Sequence, residues 1–415
     1  MEYTILFWII IAILLLDFAI ENTLSYLNGK NAGVELPDEV KDIYDSEKYN
    51  KQQAYFQVNQ KFSRITSVFG TLVTLAMFFL FGFNFVDEIA RGFTDSTILV
   101  ALIFFGIIFF ANELISIPFG IYKTFVIEEK FGFNKMSPAI FATDLLKEWV
   151  MTAVLGGGLI ALLMVIYEQV GDWFWLLGWG LMSAISIFLM MFYSNLIVPL
   201  FNKQTPLEAG ELRDAIEAFC NKAGFKLDNL YVIDGSKRTT KANAYFSGLG
   251  AKKRIVLYDT LINTLTTEEI VAVLAHEIGH YKKKHTMKTL IFSLINNGVM
   301  FFLLSLALGK ADSGNPEIAL ALGSDIPSFH FSMIVFGILF SPISTFIGLG
   351  LNTFSRKNEY EADAFAKSFG LAAPLGSALK KLSESTLSNL TPHPYYVFFH
   401  YSHPTLLQRL RALNK

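Results

Sequence analysis

Long apolar runs separated by polar segments set the pattern of this sequence. The runs lie near residues 4–20, 65–86, 98–120, 149–167, 173–198, 287–309 and 331–354. Each is long enough to cross the hydrocarbon core of a bilayer as a helix, so the pattern predicts about seven transmembrane helices. The first run lacks a small-residue cleavage site, which indicates a retained anchor rather than a signal peptide.

The composition agrees with a membrane protein. Hydrophobic residues make up 53% of the chain, aromatic residues 15% and charged residues only 17%. A soluble chain of 415 residues needs more charge than this on its surface. The formal net charge of -2 argues against a nucleic-acid partner, which requires a basic excess. Cys220 is the only cysteine, so no intrachain disulfide can form.

Lysine and arginine are concentrated in alternate connecting segments. The segments after the first and third apolar runs carry Lys30, Lys41, Lys48, Lys51, Lys61, Lys123, Lys130, Lys135 and Lys147. The loops after the second, fourth and sixth runs carry little more than Arg91 and Lys310. Because positively charged loops stay in the cytoplasm, we expect the N-terminus on the opposite side of the membrane. The same alternation places the polar segments 199–286 and 355–415 together on the cytoplasmic side.

Two carboxylates lie inside apolar runs. An unpaired charge costs several kcal/mol in lipid, so Asp17 and Glu113 are expected to face protein or trapped water. One interpretation is a single structural polar contact for each, or a span that ends earlier than predicted. The other is a water-filled interior enclosed by the helices.

The most specific chemical signal is the stretch AHEIGH, residues 275–280. A capping box, Thr266 to Glu269, begins a helix just before it. On that helix His276 and His280 project from one face a single turn apart, a spacing that lets two imidazoles bind one zinc ion.

A glutamate follows the first of these histidines directly. Glu277 lies one residue round the helix, where it can take a proton from a metal-bound water without binding the metal itself. The alternative is a helix with two incidental surface histidines, but an HExxH arrangement is too specific to favour it. His285 lies five residues beyond His280 and is interpreted as a surface or helix-end residue.

A catalytic zinc needs a third protein ligand and one open position. The best candidate segment is SRKNEYEADAFAKSFG, residues 355–370, which continues the last apolar run as a polar helix. Glu359 and Asp363 share a face of that helix, so one can bind the metal while the other hydrogen-bonds a zinc-binding histidine. Glu361 points elsewhere. The alternative is a solvated acidic helix.

A short β-prone region precedes the zinc helix. Its runs are NLYVIDG, KANAYFSGLG and KKRIVLYD, each bounded by turn residues. The run ANAYFSG is predicted to be an exposed edge strand that binds an extended peptide through main-chain hydrogen bonds, with Ala244, Tyr245 and Phe246 at its centre. The alternative is an ordinary hairpin packed on the helix.

Several motifs together resemble a known family. They are AHEIGH, NEYEADAFA, PLFNK (199–203), DGSKRTTKANAYFSG (234–248), TFVIEEKFGFNK (124–135) and YSHPTLLQR (401–409). In this order they resemble the type I CAAX prenyl endopeptidases, which are integral-membrane zinc metallopeptidases. The resemblance runs through nearly the whole chain.

The resemblance implies roles for particular residues. It implies one Zn²⁺ per chain, bound by His276, His280 and Glu359, with Glu277 as general base and Asp363 hydrogen-bonded to a zinc ligand. It also implies that Asn243 and His403 contact the scissile peptide or its developing oxyanion, with Arg409 supporting that corner. The chain departs from the family where we expect a histidine before NAYF, since Lys241 stands there.

The fold class that the resemblance implies is mainly α and integral to the membrane. About seven transmembrane helices would form a barrel around a water-filled chamber, with an inward-facing zinc metallopeptidase domain of the gluzincin type that contains a small β-sheet. We divide the chain into helices one to five (1–198), a zinc metallopeptidase segment (199–286), helices six and seven (287–354) and a C-terminal cytoplasmic segment with the third ligand (355–415).

The implied function is an endopeptidase that cuts C-terminal residues from CAAX-type peptides. The partners are the lipid bilayer and a peptide or protein substrate, isoprenylated or unmodified. One alternative is a quality-control protease with no prenyl requirement, and another is a non-catalytic chamber protein with a structural zinc. The membrane would be the plasma membrane in a prokaryote and the endoplasmic reticulum in a eukaryote.

Overall fold

The computed structural model describes residues 3–227, 229–247, 254–311 and 314–415, with only the backbone of residues 246 and 247. Its helices are α1 (Ile5–Asn31), α2 (Ser46–Phe79), α3 (Gly82–Arg91), α4 (Thr97–Tyr122), α5 (Pro138–Met151), α6 (Gly157–Val170), α7 (Phe174–Leu196), α8 (Val198–Phe201), α9 (Glu211–Lys222), α10 (Asp259–Thr264), α11 (Thr267–Lys282), α12 (His285–Leu308), α13 (Pro316–Ala321), α14 (Phe329–Ser368), α15 (Ala372–Ser385), α16 (Pro394–His400) and α17 (Leu406–Asn414). Its strands are β1 (Gln204–Pro206), β2 (Leu230–Ile233), β3 (Ala244–Ser247) and β4 (Arg254–Tyr258).

Long apolar helices dominate the described residues, as the pattern of the sequence predicts. Within those residues, 6 helical stretches are long and apolar enough to cross a membrane: Ile5–Asn31, Ser46–Phe79, Thr97–Glu128, Pro138–Phe201, His285–Leu308 and Phe329–Ser368. The chain is therefore a multi-pass membrane protein. The predicted run 65–86 extends too far at its C-terminal end. Helix α2 ends at Phe79, because Phe81 adopts a left-handed φ of 51° and separates α2 from α3.

The stretch Pro138–Phe201 contains two of the predicted runs, 149–167 and 173–198. Gly171, with φ 53°, interrupts it between α6 and α7. The Tyr167 and Phe174 rings lie 5.5 Å apart next to this turn, and farther from it Leu163 approaches Gly178. The contacts move backwards along α6 as they move forwards along α7, so the two helices form an antiparallel hairpin.

Both carboxylates within the apolar runs have protein partners. Ser341 Oγ donates to Asp17 Oδ2 at 2.6 Å, which links α1 to α14. Trp149 Nε1 donates to Glu113 Oε2 at 3.0 Å, which links α5 to α4. These bonds favour the interpretation of each carboxylate as a structural polar contact between helices.

The polar segment folds around a small mixed sheet. In the described part of the chain the strand order is β1-β2-β4-β3, with β2 and β4 parallel and the outer pairs antiparallel. The three predicted β-prone runs correspond to β2, β3 and β4. Strand β1 was not predicted, because three residues ending in proline carry no alternating pattern.

The zinc helix α11 is the centre of this segment's core. One buried cluster contains Ile216, Ile255, Leu257, Leu261, Ile270, Leu274 and Ile278, from α9, β4, α10 and α11. Helix α11 also packs closely on α14 at Gly279, where an added Cβ would lie 3.1 Å from the Cα of Ala362. The glycine of AHEIGH therefore permits the close approach that brings the polar half of α14 to the two histidines.

The loop before β3 is tied to the transmembrane helices. Arg238 forms a bidentate pair with Asp144 of α5, at 2.9 and 3.0 Å. Lys241 Nζ donates to Glu128 Oε2 at 2.7 Å and to Tyr55 Oη at 3.0 Å. Lys241, the departure from the family pattern, thus anchors this loop on α2 and on the helical stretch Lys123–Glu128 that follows α4.

Candidate metal centre

Local sequence sets the position of the two motif histidines. Thr266 and Glu269 form the predicted capping box, with Glu269 Oε2 accepting from Thr266 N at 2.8 Å. Ser377 and Lys381 also donate to Glu269, at 2.6 and 2.8 Å, and so join the start of α11 to α15. These bonds fix where α11 begins and therefore which of its faces carries the histidines.

Three donor atoms from α11 and α14 converge at one point. His276 Nε2 and His280 Nε2 lie 3.1 Å apart, and Glu359 places Oε1 3.2 Å from His280 Nε2 and Oε2 3.4 Å from His276 Nε2. Ligand bonds of about 2.0–2.1 Å around a tetrahedral zinc separate donor atoms by about 3.3 Å. The three residues could therefore hold one zinc ion and leave a position open.

The chemistry of the carboxylate supports this fit. The side chain of Glu359 is 5% exposed, and its Oε2 has no hydrogen-bond partner among the described residues. A buried carboxylate oxygen without a donor is costly unless a cation compensates it. Arg409 Nη1 lies 3.7 Å from this oxygen, so the oxygen is near a positive charge but accepts no hydrogen bond within the described part of the chain. The three donors and this oxygen together match the requirements of a metal site.

A second carboxylate holds His276 from the opposite side of its ring. Asp363 Oδ1 lies 2.8 Å from His276 Nδ1, and Arg409 contacts Asp363 through Nε at 2.9 Å and Nη2 at 2.6 Å. Helical spacing left the roles of Glu359 and Asp363 open, and only the family resemblance implied Glu359 as the ligand. In the structure Glu359 faces the Nε2 atoms of His276 and His280, and Asp363 faces Nδ1 of His276. Only Glu359 therefore lies at the point where the three donor atoms converge, which we call the metal point.

Charge balance at this buried group follows from the same contacts. Burial opposes the charged form of His276, but the Asp363 carboxylate that accepts from its Nδ1 and the Glu359 carboxylate near its Nε2 outweigh burial and raise its pKa to about 9. Burial likewise opposes the charged form of Arg409, yet the Asp363 carboxylate raises the pKa of that guanidinium. The surrounding carboxylates favour the protonated form of His276. Binding of a cation at Nε2 would therefore displace the proton from that nitrogen.

A cavity of about 470 Å³ opens over the three donors. Its wall includes Asn243, Glu277, His403 and Arg409 together with the donor residues. Glu277 is half-buried beside His276. The residues that sequence and resemblance singled out thus line one space, although they come from four separate parts of the chain.

The two expected oxyanion contacts differ in how they are held. His403 Nε2 lies 3.3 Å from Glu359 Oε1, and the side chain is 61% exposed. Ser402 Oγ lies 2.9 Å from its Nδ1. Asn243 accepts a bond from the N–H of Ala244 at 2.9 Å through Oδ1. Asn243 lines the cavity, and its amide nitrogen is a donor group that a substrate could use.

Strand β3 forms the outer edge of the described sheet, next to Asn243. Tyr258 N donates to Asn243 O at 3.1 Å, and Tyr245 pairs with Val256. Since antiparallel partners alternate, the backbone groups of Asn243 and Tyr245 face β4, while those of Ala244 and Phe246 face the free edge. The side chain of Phe246 lies outside the described residues.

An apolar cavity of about 740 Å³ adjoins the first one. The two share Met190, Asn243 and Thr286, and the second is lined by Leu189, Tyr193 and Phe201 from α7 and α8. The sequence analysis missed this wall, because an apolar position in a transmembrane helix looks the same whether it faces lipid or a cavity.

His285 was interpreted as a surface or helix-end residue; it does lie at a helix end, as the first residue of α12, but it is not at the surface. It is 3% exposed, and its Nδ1 lies 3.0 Å from His280 Nδ1. The interpretation assumed a continuous helix, but α11 ends at Lys282 and Lys284 adopts a left-handed φ of 59°. This turn brings His285 back onto His280.

Comparison with known proteins shows which proteins this chain is similar to. Residues 25–203 match the family model described as CAAX prenyl protease N-terminal, five membrane helices, and residues 206–415 match peptidase family M48. The chain is 35% identical to CAAX prenyl protease 1 of Saccharomyces cerevisiae, over 96% of this chain and 93% of the relative. It is 32% identical to the CAAX prenyl protease 1 homolog of Homo sapiens, over 91% and 88%. The crystal structure of S. mikatae Ste24p matches with a TM-score of 0.93 and 33% identity, over 100% of both chains.

Proposed function

The chain belongs to peptidase family M48 and, within it, to the CAAX prenyl proteases, and from this premise we propose that it removes C-terminal residues from prenylated CAAX-type peptides by zinc-dependent hydrolysis. It is a membrane metalloendopeptidase by family. The observation that carries the mechanism is the triangle of donor atoms from His276, His280 and Glu359, at 3.1 to 3.4 Å, with Glu277 on the same cavity wall.

The proposed roles follow from these positions. His276, His280 and Glu359 would hold Zn²⁺, which when bound supplies Lewis acidity to the attacking water and to the scissile carbonyl. Glu277 takes the proton of that water and delivers it to the departing amine nitrogen. Asp363 and Arg409 hold the His276 ring in place through Nδ1.

Two groups on the cavity wall would stabilise the oxyanion. The amide nitrogen of Asn243 and the imidazole of His403 can both donate hydrogen bonds, and both residues line the same cavity as Glu359. Donors aimed at the developing negative charge lower the barrier more than they favour the ground state. His403 is exposed enough to adjust when a peptide enters.

The free edge of β3 is the proposed peptide platform. The backbone groups of Ala244 and Phe246 that face outward can pair with an extended substrate, as in other edge-strand complexes. The adjoining apolar cavity supplies room for a lipid chain near the cut bond.

We propose that a barrel of seven transmembrane helices encloses this site in a water-filled chamber. The antiparallel hairpin of α6 and α7 supports two crossings within Pro138–Phe201. The distribution of lysine supports a cytoplasmic position of the zinc segment, in the plasma membrane or the endoplasmic reticulum according to the organism. Labelling of a cysteine placed at the exposed Glu208 by an impermeant reagent outside intact cells would contradict this orientation.

The substrate class is tested by comparing a farnesylated CAAX peptide with its unmodified form on the purified protein in lipid nanodiscs. We expect kcat/KM to be at least about tenfold higher for the farnesylated peptide, because burial of two methylene groups at about 0.8 kcal/mol each is already worth that much. Glu277→Gln protein gives the background rate. Equal cleavage of both peptides would favour a quality-control protease without a prenyl requirement.

A proline at Phe246 tests the peptide platform. Phe246→Pro removes an outward N–H but no bond to β4, so we expect KM to rise about two- to tenfold, the worth of one hydrogen bond, with zinc content unchanged. Phe246→Ala keeps the N–H and is the matched control. Tyr245→Pro instead removes a bond to β4 and should also lower stability. If Phe246→Pro and Phe246→Ala have the same KM, the substrate does not pair with this edge.

A further inference from the structure

A hydrogen-bonded chain extends from the second metal-site histidine away from the metal point. His280 Nδ1 lies 3.0 Å from His285 Nδ1, and His285 Nε2 lies 3.1 Å from Glu361 Oε2. His285 is 3% exposed at the side chain and Glu361 is 35% exposed. His285 also lines the cavity over the metal donors. Neither His285 nor Glu361 was expected to bind the metal or to form part of the peptide platform.

Only one arrangement of protons satisfies this chain when His280 binds a cation. The lone pair of His280 Nε2 is then used, so its Nδ1 carries the proton and donates. His285 Nδ1 must accept that bond, so the proton of His285 lies on Nε2 and is donated to Glu361. Each bond in the chain has one donor and one acceptor, and the chain ends on a carboxylate.

We propose that His285 and Glu361 are positioning residues that hold His280 in the tautomer and ring orientation required for metal binding. This inference rests on the proposed zinc site. It gives the two histidines of α11 matching supports: Asp363 contacts Nδ1 of His276 directly, and Glu361 contacts Nδ1 of His280 through the imidazole of His285. Polar partners of this kind typically change metal affinity 10- to 100-fold.

Local structure explains why an imidazole is needed here. The carboxylate of Glu361 lies on α14 two residues from Glu359 and so points away from the donor triangle. The left-handed turn at Lys284 places His285 at the first position of α12, between that carboxylate and His280. His285 thus bridges the distance between His280 and the Glu361 carboxylate. At His276 no bridge is needed, because Asp363 of α14 contacts the ring directly.

Zinc affinity of the purified protein tests this role without reference to activity. We expect His285→Ala to weaken zinc binding, measured by competition with a chromophoric chelator, about 10- to 100-fold. His285→Asn places Oδ1 near the position of Nδ1, can still accept from His280, and should stay within about threefold of the unmodified protein. Equal affinities for the alanine and asparagine variants would overturn the proposal.

Glu361 provides the second arm of the test. If Glu361 acts through His285, then Glu361→Ala should weaken zinc binding, but the double variant Glu361→Ala with His285→Ala should bind no more weakly than His285→Ala alone. Additive losses would mean that Glu361 acts independently and would overturn the relay. Glu361 is partly exposed, so the Glu361→Ala protein is expected to fold. Its zinc affinity can therefore be measured even if the His285→Ala protein does not fold.

The zinc-free protein distinguishes positioning from a purely structural role. A packing role for His285 predicts a lower Tm of the zinc-free protein for the alanine and asparagine variants alike, with unchanged zinc affinity. A positioning role predicts the affinity difference between them. If the unmodified protein binds no zinc, the proposed metal site fails; if it binds zinc and His285→Ala binds it equally well, only the relay fails.

Discussion

Replacing Glu277 by glutamine is expected to reduce peptide cleavage by about 100- to 10,000-fold while the zinc content stays at the level of the unmodified protein. The loss corresponds to general-base catalysis, because a glutamine amide cannot accept the proton of the attacking water. Zinc is retained because Glu277 lies beside the donor triangle and supplies none of its atoms. Elemental analysis and a single-turnover cleavage assay on the same preparation measure both quantities.

Glu268→Gln is the matched control for this variant. Glu268 is exposed in the first turn of the same helix, so its replacement changes the charge of α11 equally without entering the cavity. We expect near-unchanged cleavage and zinc content for it. A Glu277→Gln protein that cleaves at the unmodified rate, or that loses zinc, would show that this glutamate is not the proton acceptor.

Replacement of Glu359 by alanine is expected to abolish zinc binding and cleavage together. Two imidazoles alone leave the site one ligand short, and the buried His276 and half-buried His280 would lack the anionic partner that compensates the cation. His280→Ala should behave in the same way. Zinc content per chain, measured after dialysis has removed unbound zinc, checks this result.

Asp363→Asn separates the two carboxylates of α14. Asparagine keeps an oxygen that can accept from His276 Nδ1, so the variant should retain zinc with affinity weakened about 10- to 100-fold rather than lost. Stability should fall as well, because Arg409 would lose its charged partner at a buried position. If Asp363→Asn loses zinc as completely as Glu359→Ala, the assignment of Glu359 as the ligand and Asp363 as its support is wrong.

Much of the architecture follows from local patterns in the chain. Apolar runs identify the membrane-spanning helices, since a run of that length has no alternative in a bilayer. Alternating β-prone residues locate β2, β3 and β4, and a capping box locates the start of α11. The spacing of His276 and His280 by one helical turn is itself a local property, so their shared face needs no tertiary information.

Errors arose where local patterns did not determine the fold. The run 65–86 continues apolar across Phe81, but the left-handed backbone there ends α2. Strand β1 forms only because β2 offers it a partner at Tyr231–Ile233. The cavity wall on α7 has no signature, because Met190 and Tyr193 are apolar or aromatic residues in a transmembrane helix like their neighbours.

The sequence by itself determined a membrane metallopeptidase with an HExxH helix, a polar continuation of the last span and an edge strand before the zinc helix. Helical spacing, without the family resemblance, did not distinguish Glu359 from Asp363. The tertiary structure places Glu359 against the Nε2 atoms of the two histidines, Asp363 against Nδ1 of His276, and His285 against His280. The physical reason is that carboxylates one turn apart on α14 are equivalent until α14 packs on α11. That packing depends on the close contact at Gly279, and the return of His285 depends on the left-handed residue Lys284. Neither effect can be read from helical periodicity.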